Sequence, residues 1–349
     1  MSLAQDPRAM AELDLGVAPD GAPGSHRDAA PAAARRPRRA RSGLIHGLLS
    51  NAKAVTGLII LAVFTLVALL APVIAPGDPT LIQGLGAQPP SAEHWFGTTA
   101  KGQDVFALNV WGSRSSLFVG FVVGIASTFV GLLVGLASAY FGRAVDNLLS
   151  LVTNVFLLLP GLPLLVILAA FLPQGLGTVI IVLVITGWAG SARVLRSQAL
   201  SIRGKDFVAA AQVTGERGVR IMFREILPNM ASIVMSTLLA CVIFGIGAQA
   251  GLEFLGLGDI STISWGTNLY WASNDGALLT GAWWVFIPPG VCIALVAFAL
   301  ALVNYGVDET TNPRLRRPRR RTSPDEPTPV AASVTGAAGA TETRKGARR

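Results

Sequence analysis

Residues 117–141 read LFVGFVVGIASTFVGLLVGLASAYF, a run of 25 residues without Asp, Glu, Lys or Arg. A helix of roughly 20 apolar residues is long enough to cross the hydrocarbon core of a bilayer. Because backbone polar groups in the bilayer must be satisfied internally, such a segment is expected to be helical. Five more apolar stretches also lack these charged residues: 55–74, 148–172, 176–192, 227–252 and 283–303. The sequence therefore predicts an all-α membrane protein with six transmembrane helices, and a count of five remains open because the stretch 176–192 is short.

The overall composition agrees with a membrane protein. Of the 349 residues, 52% are hydrophobic and only 14% are charged, a balance that a soluble domain of this length would not tolerate. The formal net charge of +8 could suit a nucleic-acid binder. However, the basic residues lie mainly at the two ends and in one internal segment, and the apolar middle excludes nucleic acid as a partner.

The distribution of Lys and Arg predicts the orientation of the helices, since basic segments stay on the cytoplasmic side. Only Lys101 and Arg114 lie outside four basic segments. These segments are residues 1–54, the turn at Arg143, residues 191–229 and the residues after Tyr305. Both termini are therefore predicted to be cytoplasmic, and residues 76–116 and 259–282 are predicted to face outward. The protein is expected to be a multi-pass membrane protein.

The two ends of the chain are predicted to be disordered basic cytoplasmic tails, 1–54 and 314–349, which flank the transmembrane domain 55–313. The arginines after residue 313 follow the last apolar stretch directly. They can meet anionic lipid headgroups at about 1 kcal/mol each, which makes membrane lipid a partner. A cleaved signal peptide is the alternative at the N-terminus, but 55–74 is longer than a typical signal-peptide core, which favours an uncleaved first helix.

The residues that usually carry metal or redox chemistry are scattered. His26, His46 and His94 lie in separate parts of the sequence, and Cys241 and Cys292 lie inside apolar stretches, where packing is their expected role. We therefore predict no metal site and no cofactor.

Catalytic residues are not predicted either. Asp259 and Asp275 lie in the second outward segment without a nucleophile or metal set beside them, so we interpret them as solvated acids. The dipeptide Gly204-Lys205 lacks the upstream glycine and the following Ser or Thr of a phosphate-binding loop. The chain is therefore not expected to hydrolyse ATP itself.

Glycine and proline mark special places within the apolar stretches. The pairs Gly120/Gly124 and Gly131/Gly135 place small residues four apart, which allows a neighbouring helix to approach closely. Pro160 and Pro163 interrupt the third stretch and free backbone carbonyls that need protein or water as partners. A kink beside a transport pathway and a simple packing kink both remain open.

The internal basic segment, residues 193–228, contains the most informative pattern. Residues 204–218 read GKDFVAAAQVTGERG, in which an alanine triplet favours a short helix and Gly215 stops it, since glycine tolerates positive φ. A cytoplasmic helix that bears Phe207 and Val208 is suited to docking against another protein. The residues that we assign to this docking and coupling function are Asp206, Phe207, Val208, Ala209, Ala210, Ala211, Gly215, Leu227 and Pro228.

At this point the sequence resembles the permeases of ABC importers, whose cytoplasmic loop carries Glu-Ala-Ala, three residues, Gly and a downstream Leu-Pro. The resemblance covers roughly residues 55–313 and extends to the dipeptide, oligopeptide and nickel branch. Its further signs are Phe96-Gly97-Thr98, Gly187-Trp188, Ile226-Leu227-Pro228-Asn229, Phe254-Leu255-Gly256-Leu257-Gly258 and Ser264-Trp265-Gly266.

The resemblance implies a type I ABC importer permease fold in which the cytoplasmic helix is a coupling helix. It implies a location in the bacterial cytoplasmic (inner) membrane and three kinds of neighbour: a sister permease subunit that completes a heterodimer, two cytoplasmic ATPase subunits, and an extracytoplasmic solute-binding protein. The implied function is translocation of oligopeptides or dipeptides, driven by ATP hydrolysis on the separate subunits.

Some positions depart from the family pattern. The motif's glutamate is Ala209 here, and Asp206 or Glu216 could replace the salt bridge that it makes in relatives. The residues after Asn304 also resemble members thought to carry oligosaccharides, so oligosaccharides and nickel chelates remain alternative solutes.

A secondary transporter driven by an ion gradient is the alternative from another class. It would normally bury ionisable residues along a relay, and Glu253 is the exception in a chain that has almost none. We expect Glu253, at the outer end of the fifth stretch, to be hydrated or to line a gate. Together with Pro160 and Pro163 it is our candidate for a pathway or gate.

Overall fold

The computed structural model describes Leu49 and residues 51–311 of the chain. The predicted tail 314–349 and all but the last positions of the predicted tail 1–54 lie outside the described residues. Residues 52–54 are already helical, so the first helix begins slightly earlier than the apolar stretch predicted.

The described part of the chain is helical, apart from turns and one isolated β-bridge between Thr98 and Asp104. A π-helical turn, Met222–Ile226, precedes the ninth helix. In chain order the helices are α1 (Ala52–Leu69), α2 (Ala71–Ile74), α3 (Val105–Tyr140), α4 (Arg143–Leu158), α5 (Gly161–Phe171), α6 (Leu176–Arg203), α7 (Asp206–Val213), α8 (Gly218–Ile221), α9 (Leu227–Asn229), α10 (Ala231–Phe254), α11 (Trp265–Asn274) and α12 (Trp283–Thr311).

Five of these helices, α1, α3, α6, α10 and α12, are long and apolar enough to cross a membrane. They correspond to five of the six predicted stretches, which confirms the all-α membrane class. The count becomes six if the pair α4 and α5 is a single bent span.

The third predicted stretch, 148–172, is not one continuous helix. Helices α4 and α5 meet at an angle of 88°, and the break falls at Leu159 and Pro160. Leu159 is extended, with φ −67° and ψ 134°, as expected for a residue that precedes proline. Pro160 then caps α5 from outside the helix. The prediction that proline interrupts this stretch is confirmed. The sequence did not predict how sharp the bend between α4 and α5 is.

The helix that corresponds to the fourth predicted stretch, α6, is longer than predicted. Helix α6 continues to Arg203, whereas the sequence suggested that the cytoplasmic segment begins at residue 193. No helix breaker occurs before Gly204, and Leu195, Ala199 and Ile202 are buried along one face of the extension. The loop between the fourth and fifth spans therefore begins about three helical turns later than predicted.

Helix α3 is the centre of the bundle and packs against both α6 and α10. Its two glycine pairs serve different neighbours. A Cβ atom at Gly124 would lie 2.3 Å from the Val242 side chain of α10, and one at Gly131 would lie 2.1 Å from Ser191 Oγ of α6. The predicted close approach at both pairs is therefore confirmed.

Helix α1 packs along α12, so the first and last spans are neighbours. At one end of this pair Asn51 Nδ2 donates to Glu309 Oε2 at 2.7 Å, and Lys53 Nζ lies 4.1 Å from the centroid of the Tyr305 ring. These polar contacts add to the apolar packing of the two spans.

Candidate functional site

The predicted short helix is present in the segment that follows α6. Helix α7 spans Asp206–Val213 and is followed by Thr214 and by Gly215, whose φ is +77°. A residue with a β-carbon would be strained at this φ, which is why glycine suits the end of the helix. The prediction of a helix stopped at Gly215 is confirmed.

One face of α7 is fixed to the transmembrane bundle. Val208 has no exposed surface and belongs to a buried cluster. The cluster draws on α3, α6, α7, α8 and the π-helical turn, and its members include Leu136, Leu195, Ile202, Ile221 and Met222. Gly218 also lies against the Tyr140 ring at the end of α3, where a Cβ atom would be 2.3 Å from the ring. A force on this segment would therefore reach α3 and α6 through direct packing.

The other face of this segment exposes large apolar side chains. Phe207 is 42% exposed and Val213 is 88% exposed, and Val219 and Phe223 are also exposed. We call these four residues the coupling surface. Ala209 and Ala210 are exposed beside them, whereas Ala211 is half-buried against the cluster. In a segment predicted to be cytoplasmic, no lipid is available to cover these side chains, so the surface fits contact with another protein.

The charges around the coupling surface are partly used within the loop. Asp206 is exposed in the first turn of α7. Glu216 Oε1 lies 3.7 Å from Arg220 Nε, while its Oε2 is buried without a hydrogen-bond partner among the described residues. Asp206 and Glu216 are the two acids that could replace the missing glutamate at Ala209. Because Glu216 is partly buried and lies near Arg220, Asp206 is the more available of the two for contact with another protein.

Leu227 and Pro228 follow the π-helical turn and lead into α10. Leu227 is half-buried and Pro228 is exposed. The Asn229 side chain donates to the Glu225 carbonyl at 2.7 Å. This bond gives the Glu225 carbonyl a side-chain donor at the junction with α10. The Leu-Pro pair thus lies at the junction between the loop and the fifth span, close in sequence to the coupling surface.

Glu253 differs from its prediction, because it is only 2% exposed and the expectation of a hydrated side chain is wrong. Its Oε1 accepts a hydrogen bond from Gln249 Nε2 at 2.9 Å, and its Oε2 accepts one from Ser264 Oγ. Gly266 leaves the space that Glu253 occupies, since a Cβ there would lie 2.5 Å from Oε2. The carboxyl group joins α10 to the start of α11. A role of Glu253 in gating stays a prediction.

Ser264 is also the N-cap of α11 and forms a capping box with Thr267. In the sequence, Ser264-Trp265-Gly266 contributes only to the family resemblance, and its role at the start of a helix was not predicted. The pattern Ser, two residues, Thr resembles a helix start and could have signalled this role.

Pro160 and Pro163, the other pathway candidates, are exposed at the bend between α4 and α5. A polar groove, which was not predicted from the sequence, lies between α4 and α6. Asp146 accepts two hydrogen bonds from Arg196, at 2.6 and 2.7 Å, and Asn154 accepts one from Arg193 at 2.9 Å. The spacing of Asp146, Ser150 and Asn154, four apart on α4, was the signal that could have revealed it.

The residues considered for chemistry lie apart from one another. In the described part of the chain no three His, Cys, Asp or Glu side chains are grouped so that they could hold a metal ion. Cys241 and Cys292 are free thiols; Cys241 is buried, and Cys292 packs against an apolar cluster. Asp259 accepts hydrogen bonds from the Ser261 hydroxyl and backbone N–H, and these hold the pKa of its carboxyl below the usual range. Such local hydrogen bonds are typical of an aspartate in a turn.

Two family models match the chain. Residues 127–317 match the binding-protein-dependent transport system inner membrane component, and residues 44–92 match the N-terminal TM domain of oligopeptide transport permease C. The first match includes α6, the coupling surface, α10 and α11, and the second includes α1.

Several proteins are similar over most of their length. The dipeptide transport system permease protein DppC of Bacillus subtilis (strain 168) is 34% identical over 275 residues, which are 77% of this chain and 84% of that protein. The oligopeptide transport system permease protein OppC of the same organism is 34% identical over 273 residues, which are 77% of this chain and 88% of that protein. A solved structure of the MetNI methionine ABC transporter, in inward-facing conformations, has 20% identity and a TM-score of 0.47, and it covers 59% of this chain and 94% of its own.

The family assignment rests on the sequence matches. The first family model covers more than half of the chain, and both Bacillus subtilis permeases match more than two thirds of it. The long helices and the short helix α7, which is followed by Gly215, agree with these matches. The chain belongs to the family of binding-protein-dependent transport system inner membrane components, the permease subunits of ABC importers.

Proposed function

We propose that this chain is the permease subunit of an importer that carries oligopeptides or dipeptides across the cytoplasmic membrane. Its similarity to DppC and OppC over 77% of the chain supports peptides as the solute. The coupling surface supports ATP as the source of energy, because it is an apolar face on a segment whose opposite face is packed into the bundle. This combination of one anchored and one exposed face is the observation that carries the proposal.

The coupling surface would receive the motion of cytoplasmic ATPase subunits. Phe207 inserts into a groove of an ATPase subunit, and Val213 covers the rim of the contact. Because Val208 packs with residues of α3 and α6, closure of two ATPase subunits around ATP would move these spans together with α7. Hydrolysis is thereby coupled to reorientation of the bundle.

A sister permease subunit is supported by the surface of α4 and α5. Thr153 is the one buried side chain of α4. Asn154 is paired with Arg193 of α6, whereas Asn147 is exposed. Polar side chains at membrane depth face protein or water rather than lipid. We therefore place the sister subunit, or the solute pathway between the two subunits, along the exposed side of α4 that carries Asn147. An extracytoplasmic solute-binding protein completes the proposed assembly.

The proposed orientation has both termini and the coupling surface in the cytoplasm. It is supported by the uneven distribution of Lys and Arg. Six crossings, which this orientation needs, require α4 and α5 to act together as one broken span. Buried carbonyls at such a break are tolerated where protein or water surrounds them.

The test of this proposal is uptake by the complete complex in proteoliposomes. The permease heterodimer, both ATPase subunits and the solute-binding protein are reconstituted with ATP inside the vesicles, and accumulation of a labelled tripeptide is followed. Peptide uptake that requires ATP and the binding protein is expected. Uptake of an oligosaccharide or of a nickel chelate, with none of the peptide, would contradict the proposed solute, and uptake driven by an ion gradient without ATP would contradict the importer class.

A further inference from the structure

Three helices meet in the groove between α4 and α6 through one set of polar side chains. Arg196 of α6 donates twice to Asp146 of α4, from Nε to Oδ1 at 2.6 Å and from Nη2 to Oδ2 at 2.7 Å. Ser138 of α3 donates its hydroxyl to the same Oδ1 at 2.5 Å and accepts from Arg196 Nε at 3.1 Å. We call Ser138, Asp146 and Arg196 the three-helix node.

Further contacts attach α4 to α6 beyond the node. Helix α4 packs against α3 and α6, and Thr153 is its one buried residue. Asn154 accepts a hydrogen bond from Arg193 Nη2 at 2.9 Å, and the rings of Phe156 and Trp188 pack edge to face with centroids 5.3 Å apart. Together with the node, these contacts hold α4 to α6 along most of its length. We therefore expect α4 to follow α6 when α6 moves.

The turn of α6 that carries Arg196 also packs with α7. Leu195, the preceding residue, is fully buried and belongs to the cluster that contains Val208 of α7. Adjacent residues of a helix point in different directions, so Leu195 meets the cluster while Arg196 meets Asp146. A displacement of α7 can therefore reach α4 through a single turn of α6.

The geometry of the node suits positioning better than stability. The Asp146 and Arg196 side chains are 26% and 34% exposed, and ion pairs that are open to solvent add little to stability. A guanidinium that donates two parallel hydrogen bonds to a carboxylate is directional, because both bonds are kept only over a narrow range of orientations. The node therefore fixes how α4 is placed and turned relative to α6.

We propose that Asp146 and Arg196 are positioning residues that carry the motion of α7 to the bent pair α4 and α5. Closure of the ATPase subunits displaces α7, the buried cluster moves α6 with it, and the node keeps α4 aligned with α6. Helix α5 begins directly after the bend at the end of α4, so it is displaced in turn. The inference rests on the proposed function, which supplies the ATPase subunits as the source of the motion.

The first measurement is the ratio of labelled tripeptide transported to ATP hydrolysed by the complete importer in proteoliposomes. Asp146→Asn removes the charge and Arg196→Gln removes the guanidinium, and each should lower this ratio by about fivefold, the lower end of the usual coupling between two sites. The double variant should lower it no further, because all three variants break the same contact. Glu309→Gln is the matched control and should leave the ratio unchanged, since the Glu309 carboxylate joins α12 to Asn51 before α1, away from the node.

The second measurement follows α4 directly and needs no peptide. Cys241 and Cys292 are replaced by alanine, and spin labels are attached at Leu158→Cys in α4 and Ser201→Cys in α6, both exposed positions. The distance between the labels is measured by electron paramagnetic resonance in the permease and ATPase complex in lipid nanodiscs. It is compared without nucleotide and with ATP bound to hydrolysis-deficient ATPase subunits. The distance should be the same in both states, whereas in Asp146→Asn it should change when ATP binds.

Thermal unfolding and co-purification with the ATPase subunits separate positioning from support of the fold. An ion pair that only stabilises the subunit would lower the unfolding temperature or the yield of complex, and would leave the transport ratio of assembled complexes unchanged. If Asp146→Asn and Arg196→Gln do not assemble, Arg196→Lys takes their place. Lysine keeps the charge but not the two parallel hydrogen bonds, so the transport ratio should fall in the same direction by a smaller factor.

The outcomes separate this inference from the proposed function. A normal transport ratio in the assembled variants would overturn the inference and leave the proposed function in place. A distance between α4 and α6 that changes on ATP binding in the parent complex would also overturn the inference. If the complete importer takes up no peptide with ATP, the proposed function fails, and the distance measurement still tests the link between α4 and α6. A distance that is constant in the parent and changes with ATP in Asp146→Asn would support that link.

Discussion

Phe207 and Val208 are neighbours in sequence with opposite environments, since the first is 42% exposed and the second is fully buried. In a short helix adjacent residues point in different directions, so one anchors the helix while the next is presented to a partner. This difference separates a docking residue from a packing residue. It also makes substitution of Phe207 informative, because the packing of the subunit depends less on Phe207 than on the buried Val208.

Phe207→Ala should weaken the association of the permease with its ATPase subunits. Truncation of an aromatic anchor at the centre of an interface costs about 2 kcal/mol or more, which corresponds to roughly a thirtyfold loss of affinity. Co-purification and the ratio of peptide transported to ATP hydrolysed measure the effect. Thr328→Ala, in the predicted C-terminal tail and away from the coupling surface, serves as the control. Normal assembly and normal coupling in Phe207→Ala would exclude Phe207 as an anchor.

Glu253 allows a second test at the level of one residue. Glu253→Ala leaves Gln249 Nε2 and Ser264 Oγ without their shared acceptor, and should destabilise the subunit by about 1–3 kcal/mol. Glu253→Gln should be much milder, because Ser264 can still donate to the new amide oxygen. The unpaired Gln249 Oε1 can also accept from the new amide nitrogen. Thermal unfolding in detergent compares the two variants. Equal destabilisation by both would show that the carboxylate charge, rather than the hydrogen bonds, holds α10 to α11.

At the scale of elements, the packing of α3 against α6 depends on the absence of side chains at two glycines. Gly131 faces Ser191 and the backbone N–H of Ala192, and Gly135 faces the Ala192 carbonyl. An alanine within a helix is normally more favourable than glycine by roughly 0.5–1 kcal/mol. The contact with α6 reverses this preference at Gly131.

Gly131→Ala and Gly190→Ala should therefore change stability in opposite directions. The new Cβ at position 131 would lie 2.9 Å from a backbone nitrogen of α6, which forces the helices apart, and overpacking of this kind costs about 1–3 kcal/mol. Gly190 is in α6 with open space around its Cα, so its replacement should be neutral or stabilising. Thermal unfolding of the two purified variants checks the sign. A stabilised Gly131→Ala would mean that α3 and α6 do not approach as closely as described.

The whole molecule carries its charge asymmetrically, and this asymmetry predicts its orientation. Cysteines placed at Gly84 or Asp275 should react with a membrane-impermeant thiol reagent in intact cells, and a cysteine at Val213, which is 88% exposed, should not. In inverted vesicles the pattern should reverse, which provides the control for accessibility. Labelling of position 213 from outside would contradict the orientation and remove the basis for docking at the coupling surface.

Much of this protein follows from local sequence. The lengths and compositions of five spans are apparent from their apolar runs, because the bilayer requires about 20 residues and internal hydrogen bonds whatever the neighbours are. The short helix of the cytoplasmic segment was predictable for a similar reason, since an alanine triplet and Gly215 act within one or two turns. The sequence also resembled the correct family before any contact between helices was known.

Other features needed the tertiary structure. The residues around 193 look like the end of a span, yet α6 continues to Arg203 because Leu195, Ala199 and Ile202 find apolar partners on other helices. Glu253 looks like a hydrated end of a span, yet it is buried because the turn after α10 brings the Ser264 hydroxyl to its carboxyl group. The sequence by itself determined which five segments form helices long and apolar enough to cross a membrane and where α7 stops, since these depend on local hydrophobicity and backbone preference. The tertiary structure alone decided which side chains are buried, paired or left free, because that depends on residues far apart in the chain that packing brings into contact.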